Sequence, residues 1–145
     1  MSNPQNTVDF LRRVPLFYGL SDRKLNKLAK RFVARGFASG DMIVAQGDGG
    51  EGLFIIVSGK AEAVRERVNG DKIVVSTFGP TSFFGELALL NEGTRTASVI
   101  AREDTECLVL ARWDFLSVLK EDADMGVMVA QELARRFRRM LDTLF

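Results

Sequence analysis

Eleven of the 13 glycines in the chain fall between Gly36 and Gly93, and they separate short runs rich in β-branched and aromatic side chains. Those runs are Met42 to Ala45, Leu53 to Val57, Ala61 to Val68 and Lys72 to Phe78. Runs of this length, each closed by turn residues, are what a meander of hairpins requires, and the spacing predicts an antiparallel sandwich or roll. Two more strands are expected at Ala97 to Ala101 and Glu106 to Ala111, joined by the charged turn Arg102-Glu103-Asp104. Asn69-Gly70, between Val68 and Ile73, predicts a type I′ hairpin. The charges Arg65, Glu66, Arg67, Asp71 and Lys72 keep its tip in water.

Helical periodicity takes over on both flanks. Met1 to Thr7 is polar and expected to fray, and Val8 to Arg13 gives one or two turns stopped by Pro15. Ser21 reads as the N-cap of a helix from Asp22 to Phe32, with Leu25, Leu28, Ala29 and Phe32 on one stripe and Leu16, Phe17 and Leu20 helping to dock it. Past Trp113, a segment from Asp114 to Leu119 precedes a final helix that starts at Asp122 or Asp124, with Gly126 weakening its first turns. Ala130, Leu133, Phe137, Met140 and Leu144 form a heptad-like seam, flanked by Arg135, Arg136, Arg138 and Arg139. The expected class is mainly β with flanking helices, in a single domain over 1–145. It comprises N-terminal helices at 1–33, a jelly-roll-like antiparallel β-roll at 34–111 and C-terminal helices at 112–145.

Composition narrows the chemistry. The chain has no histidine and one cysteine, Cys107, so Ser-His and Cys-His devices, an internal disulfide framework and multi-cysteine metal sites are excluded. Cys107 lies in the apolar run Cys107-Leu108-Val109-Leu110-Ala111 and reads as a buried strand thiol. A net charge of +1 gives no global pull toward nucleic acid or membrane. Apolar runs are too short to span a bilayer, and the N-terminus lacks a basic-then-apolar secretory pattern. The expectation is a cytoplasmic protein that binds rather than catalyses, with no metal and no cofactor.

One stretch carries specific chemistry. Phe83-Phe84-Gly85 opens a run of helix formers, Glu86 to Leu90; Gly93 stops it, and Arg95-Thr96-Ala97 leads into a strand. A glycine at the mouth of a short helix permits a sharp turn and close approach of a ligand, while the first-turn amides, here Leu87, Ala88 and Leu89, attract an anion. The Arg95 guanidinium can grip a phosphate in a bidentate way. Glu86 can accept a hydrogen bond from a hydroxyl, so the set suits a ligand with both a phosphate and a sugar hydroxyl. Plainer readings stand beside this one: Glu86 as complement to a helix dipole, Arg95 as a surface partner of Glu92, Thr96 as a half-buried strand residue. A capping box is disfavoured, because the residue three before Glu86 is Phe83.

Phe84-Gly85-Glu86-Leu87-Ala88-Leu89 followed by Arg95-Thr96-Ala97-Ser98-Val99 resembles the phosphate-binding cassette of cyclic nucleotide-binding domains, the type found in catabolite activators, protein kinase regulatory subunits and cyclic nucleotide-gated channels. A second family signature lies upstream, from Ile43 to Gly59. The resemblance implies that Glu86 binds the ribose 2′-hydroxyl and Arg95 the cyclic phosphate. Gly85, Leu87, Ala88, Thr96 and Ala97 complete the site. It also implies that the C-terminal helix folds over bound nucleotide and mediates a homodimer, with Arg136 near the base and Leu133 and Phe137 as an apolar cap. Cyclic AMP is favoured over cyclic GMP as the broader family default. A recognition helix for DNA would have to follow Phe145, so no nucleic-acid partner is expected of this chain, and its effector is not specified. Two alternatives remain at this level: a protein-interaction or structural domain with a vestigial pocket, or part of a larger channel, kinase or transcription regulator.

Overall fold

The computed structural model describes residues 4–48, 52–85 and 95–144. The chain runs through α1 (Pro4–Arg12), a 3-10 turn (Pro15–Phe17), α2 (Asp22–Ala29), β1 (Val33–Phe37), β2 (Met42–Val44), β3 (Gly52–Ser58), β4 (Ala61–Glu66) and β5 (Lys72–Phe78). It continues through β6 (Phe83–Phe84), β7 (Ser98–Ala101), β8 (Thr105–Ala111), α3 (Arg112–Glu121) and α4 (Ala123–Leu144). The short cassette helix expected after Gly85 lies outside the described residues.

Two four-stranded antiparallel sheets, β1-β8-β3-β6 and β2-β7-β4-β5, form the roll. The first sheet is covered on both faces, and β3 shows why its sequence is apolar without interruption. Leu53 and Ile55 point to a helical layer with Leu11, Phe17, Leu25, Leu28, Phe115 and Met125. Phe54 and Ile56 point into the roll, against Ala61, Ala63, Phe78, Phe84, Val99 and Cys107. Register fixes the alternation: Phe54 stands opposite Val109 on β8 and Phe84 on β6. Phe54 and Phe84 stack with centroids 5.2 Å apart.

The boundaries depart from sequence expectation where strand pairing competes with local propensity. Helix α2, capped by Ser21 Oγ accepting from the Lys24 amide at 3.3 Å, ends at Ala29 rather than Phe32. The chain must then enter β1, where Val33 pairs with Val109. Phe83 and Phe84, expected to open the cassette helix, instead pair with Ile55 and Phe54 as β6. Helix α1 begins at Pro4, because proline in a first turn forfeits only an amide that has no helical partner. The β4–β5 connection is not a type I′ turn. Gly70 alone has positive φ (+90°), its amide donates to the Arg67 carbonyl at 2.9 Å, and Val68-Asn69-Gly70 form a three-residue loop closed by the Arg67 amide on the Asp71 carbonyl at 2.8 Å. Asn69 contributes its side chain instead, accepting from the Asp71 amide at 3.0 Å.

Candidate functional site

Arg95 is 5 % exposed, although a guanidinium does not lose its charge on burial. The surrounding backbone supplies part of the compensation. Nη1 donates to the Gly85 carbonyl at 2.9 Å and Nη2 to the Gly52 carbonyl at 3.1 Å. The guanidinium carbon sits 5.9 Å from the centroid of the Phe54 ring. The Arg95 main chain is fastened as well: its amide donates to the Asp48 carbonyl at 2.7 Å, and its carbonyl accepts from Gly47 at 2.9 Å. The charge therefore has a fixed position at the end of the roll. A groove of about 220 Å³ lies beside it, lined in part by Val44, Asp48 and Phe54.

This closeness dictates two glycines. Gly85 has φ +99°, and a Cβ there would strike Arg95 Nη1 and lie 2.8 Å from the Gly52 carbonyl oxygen. A Cβ at Gly52 would lie 2.7 Å from the Leu110 carbonyl oxygen across the β3–β8 ladder. A left-handed backbone and the absence of a side chain are both needed at Gly85.

Of the residues singled out from the sequence, the fold brings Gly85 and Arg95 into direct contact. Thr96 follows in the chain and is exposed, its carbonyl accepting from Arg65 Nη1 at 3.3 Å. Ala97 is half-buried against the roll interior. Glu86, Leu87 and Ala88 lie outside the described residues, as does Glu92. Arg136 reaches the same backbone from α4: Nη2 donates to the Phe83 carbonyl at 2.6 Å, and the guanidinium lies 4.5 Å from the Phe83 ring centroid and 5.8 Å from that of Phe78. Two arginines thus bind carbonyls two residues apart at the exit of β6.

The seam read from the sequence divides on the folded helix. Leu133 packs with Met125 and Val129 against the helical-layer core, whereas Phe137 is 55 % exposed. The outward apolar row is instead Val127, Ala130, Ala134, Phe137, Leu141 and Leu144, alternating three and four residues apart. Helix α4 carries two apolar stripes, and a sequence pattern that mixes them crosses from one to the other.

Sequence reasoning gave no role to Gly52 or Phe54, although both lie in the upstream signature, because their closeness to Arg95 arises from strand register. It also missed an ion pair, Lys24 Nζ to Asp122 Oδ2 at 2.5 Å, which joins α2 to the α3–α4 junction. The bond from Lys24 holds the Asp122 carboxyl below the usual carboxylate range, and Lys24 is in turn raised. Burial pushes the Cys107 thiol up to about 12.

Comparison with known proteins gives a consistent result. The family profile of the cyclic nucleotide-binding domain matches residues 34–122. The chain is 38 % identical over 124 residues to the cyclic AMP receptor protein of Thermus thermophilus, covering 86 % of this chain and 57 % of that protein. The crystal structure of the Thermus thermophilus catabolite activator protein superposes with a TM-score of 0.80 at 38 % identity, over 90 % of this chain and 62 % of that one. The cAMP-dependent protein kinase regulatory subunit of Blastocladiella emersonii is 34 % identical over 116 residues, 80 % of this chain and 29 % of the other. The regulatory domain of Toxoplasma gondii PKA, solved with cAMP, superposes with a TM-score of 0.83 at 26 % identity, over 90 % of this chain and 50 % of that one. The chain thus spans from under a third to little over half of the curated relatives named. Among the described residues, no helix is long and apolar enough to cross a membrane, and no cluster of acidic or cysteine side chains could hold a metal ion.

Proposed function

This chain belongs to the cyclic nucleotide-binding domain family, and on that premise we propose that it senses cyclic AMP in preference to cyclic GMP and signals through α4 without acting as an enzyme. The carrying observation is the Arg95–Gly85 contact, which puts a buried cation at the glycine of the cassette, 2.9 Å from its carbonyl oxygen. A cyclic phosphate is a stronger acceptor than the neutral carbonyls that now face the guanidinium. Its arrival would redistribute those bonds and draw on the amides of Leu87 and Ala88, with Glu86 taking the ribose 2′-hydroxyl and Thr96 and Ala97 closing the far side. The preference for cyclic AMP is supported by the ligand named for the Thermus thermophilus and Blastocladiella emersonii proteins and present in the Toxoplasma gondii structure.

Output follows from the shared backbone. Movement of the segment after Phe84 alters the carbonyl that Arg136 holds, so ligand binding and the seat of α4 are coupled, and the ligand shifts α4 only as far as it prefers one seat over the other. Arg136 and Phe137 are then the residues of α4 that meet the base, with Leu133 holding the helix to the body. The whole of 1–145 acts as one sensing unit. The outward row from Val127 to Leu144 supports a homodimer through α4.

A second reading is a structural or protein-interaction domain, favoured by the fact that the Gly85 and Gly52 carbonyls already give Arg95 a bracing role between β6 and β3. Calorimetry of the chain with cyclic AMP and cyclic GMP, side by side, decides. Micromolar binding of cyclic AMP, tighter than cyclic GMP, is the expected result. No heat and no rise in melting temperature with either nucleotide selects the second reading.

A further inference from the structure

Beside the core packing of Met125, Val129 and Leu133, helix α4 is fastened by two polar contacts of different character. Near its far end, Arg136 holds the Phe83 carbonyl. At its origin stands Asp122, the single residue between α3 and α4, in an extended conformation (φ −129°, ψ 100°) between two helical segments. Its side chain is 6 % exposed and fully engaged: Oδ1 accepts from the Met125 amide at 3.1 Å, capping α4, and Oδ2 takes the Lys24 ammonium at 2.5 Å. Lys24 belongs to α2, which is itself stapled to α1 by Asp22 to Arg12 at 3.1 Å, and Arg31, two residues past its end, pairs with Asp114 at 3.4 Å. Helix α2 therefore binds α1 and the α3–α4 junction, while lining no part of the groove beside Arg95.

We propose that the Lys24–Asp122 pair is the pivot lock of α4, holding the junction in place so that the helix swings about Asp122 and so that α2 sets the cost of that swing. The lever arm makes the point concrete. Fourteen residues of helix separate Asp122 from Arg136, about 20 Å at 1.5 Å per residue, so a tilt of about 10° at the junction displaces Arg136 by about 3–4 Å. That exceeds the 2.6 Å length of its bond to the Phe83 carbonyl. A small relaxation at the pivot is enough to release the far contact. Removing the lysine also leaves a buried carboxylate without its cation, which is more costly than losing an exposed pair.

The lock deepens the reading of α4 as the signalling element and rests on it, so the experiment measures the two separately. Hydrogen exchange of the α4 amides is followed in the ligand-free chain for wild type, Lys24→Met, Lys24→Arg, Asp122→Ser and the double variant Lys24→Met/Asp122→Ser. Serine keeps an oxygen for the Met125 amide while removing the anion. Lys24→Met is expected to speed exchange along α4 by about tenfold while the roll stays protected, with Lys24→Arg restoring part of the protection. The two single effects should fail to add in the double variant. Cyclic AMP affinity should fall several-fold in Lys24→Met. Unchanged α4 exchange in Lys24→Met, or effects that simply add, overturns the lock. Should Asp122→Ser fail to fold, Lys24→Met and Lys24→Arg alone decide, because the Lys24 side chain is 57 % exposed and its replacement leaves no cavity. Absence of nucleotide binding in wild type sinks the sensor reading while leaving the exchange result to judge the lock.

Discussion

Arg95 donates to the Gly85 carbonyl at 2.9 Å across a gap that no side chain at position 85 could share. The contact makes the arginine a brace between the start of β3 and the end of β6, since its other nitrogen holds Gly52, and the proposed function makes it the attractor for an anion as well. Removal of either function should be separable from the other by measuring affinity and stability together.

Arg95→Ala is expected to abolish micromolar cyclic AMP binding in calorimetry and to lower the melting temperature. Each hydrogen bond to a charged group is worth roughly 1.5–3 kcal/mol, so the loss of a forked pair weakens binding by orders of magnitude. Arg95→Lys should recover only part, because an ammonium is a compact charge without the planar, rigid pair of donors of a guanidinium. Wild-type affinity in Arg95→Ala would remove the site from this end of the roll.

Gly85→Ala combines a left-handed φ of +99° with a collision against Arg95. A cost of about 1 kcal/mol or more from the backbone alone is expected in urea unfolding, with cyclic AMP binding weakened as the guanidinium is displaced. A fully stable variant with native affinity would contradict the geometry.

Thr81 is the one non-glycine with positive φ among the described residues, at +74°. It follows Pro80 in a turn closed by the Ser82 amide on the Gly79 carbonyl at 3.0 Å, where glycine is the unstrained choice. Thr81→Gly should raise unfolding stability by about 1 kcal/mol, since a β-branched residue there is a steric outlier. A destabilised variant would show that the threonine side chain contributes more than its strain costs.

Two titrations have a defined sign. The folded-state Asp122 carboxyl is depressed, first by its bond from Lys24, so its contribution is present above the ordinary carboxylate value of about 3.9 and is lost as pH falls below it. The Cys107 thiol is raised to about 12 by burial, so the folded state keeps it neutral, and stability declines as pH climbs above the ordinary thiol value of about 8.5. Melting curves from pH 3 to 11 should fall at both ends. Thiol reagents at pH 8 should leave Cys107 unmodified until the protein unfolds, and rapid labelling of the native chain would show the site to be open.

Phe137→Glu, on the outward row of α4, should convert a dimer to a monomer in sedimentation without lowering the melting temperature of the monomer, as the side chain is 55 % exposed. A wild-type chain that sediments as a monomer at high concentration would contradict dimerisation through that row.

The roll was legible because turn glycines and β-branched runs are local signals, and the family was legible because the residues that carry the resemblance are close in sequence. What failed was decided by partners far along the chain. Phe83 and Phe84 pair with β3 because stacking on Phe54 outweighs the pull of the helix formers that follow. Leu133 joined the wrong stripe because a helix with two apolar faces gives no sequence clue to which one meets the body.

By itself, the sequence determined the residue types this site can use: arginines, a glycine with the freedom to turn, and no histidine. Tertiary structure alone decided where the charge of Arg95 rests. Strand pairing carries Gly52 and Gly85 to within hydrogen-bonding distance of Arg95 and sets the Phe54 ring beside it, across gaps of ten to more than forty residues, while helix packing brings Lys24 to Asp122 across 98. Burial makes such contacts matter, because a charge withdrawn from water must find its compensation in whatever the fold places beside it.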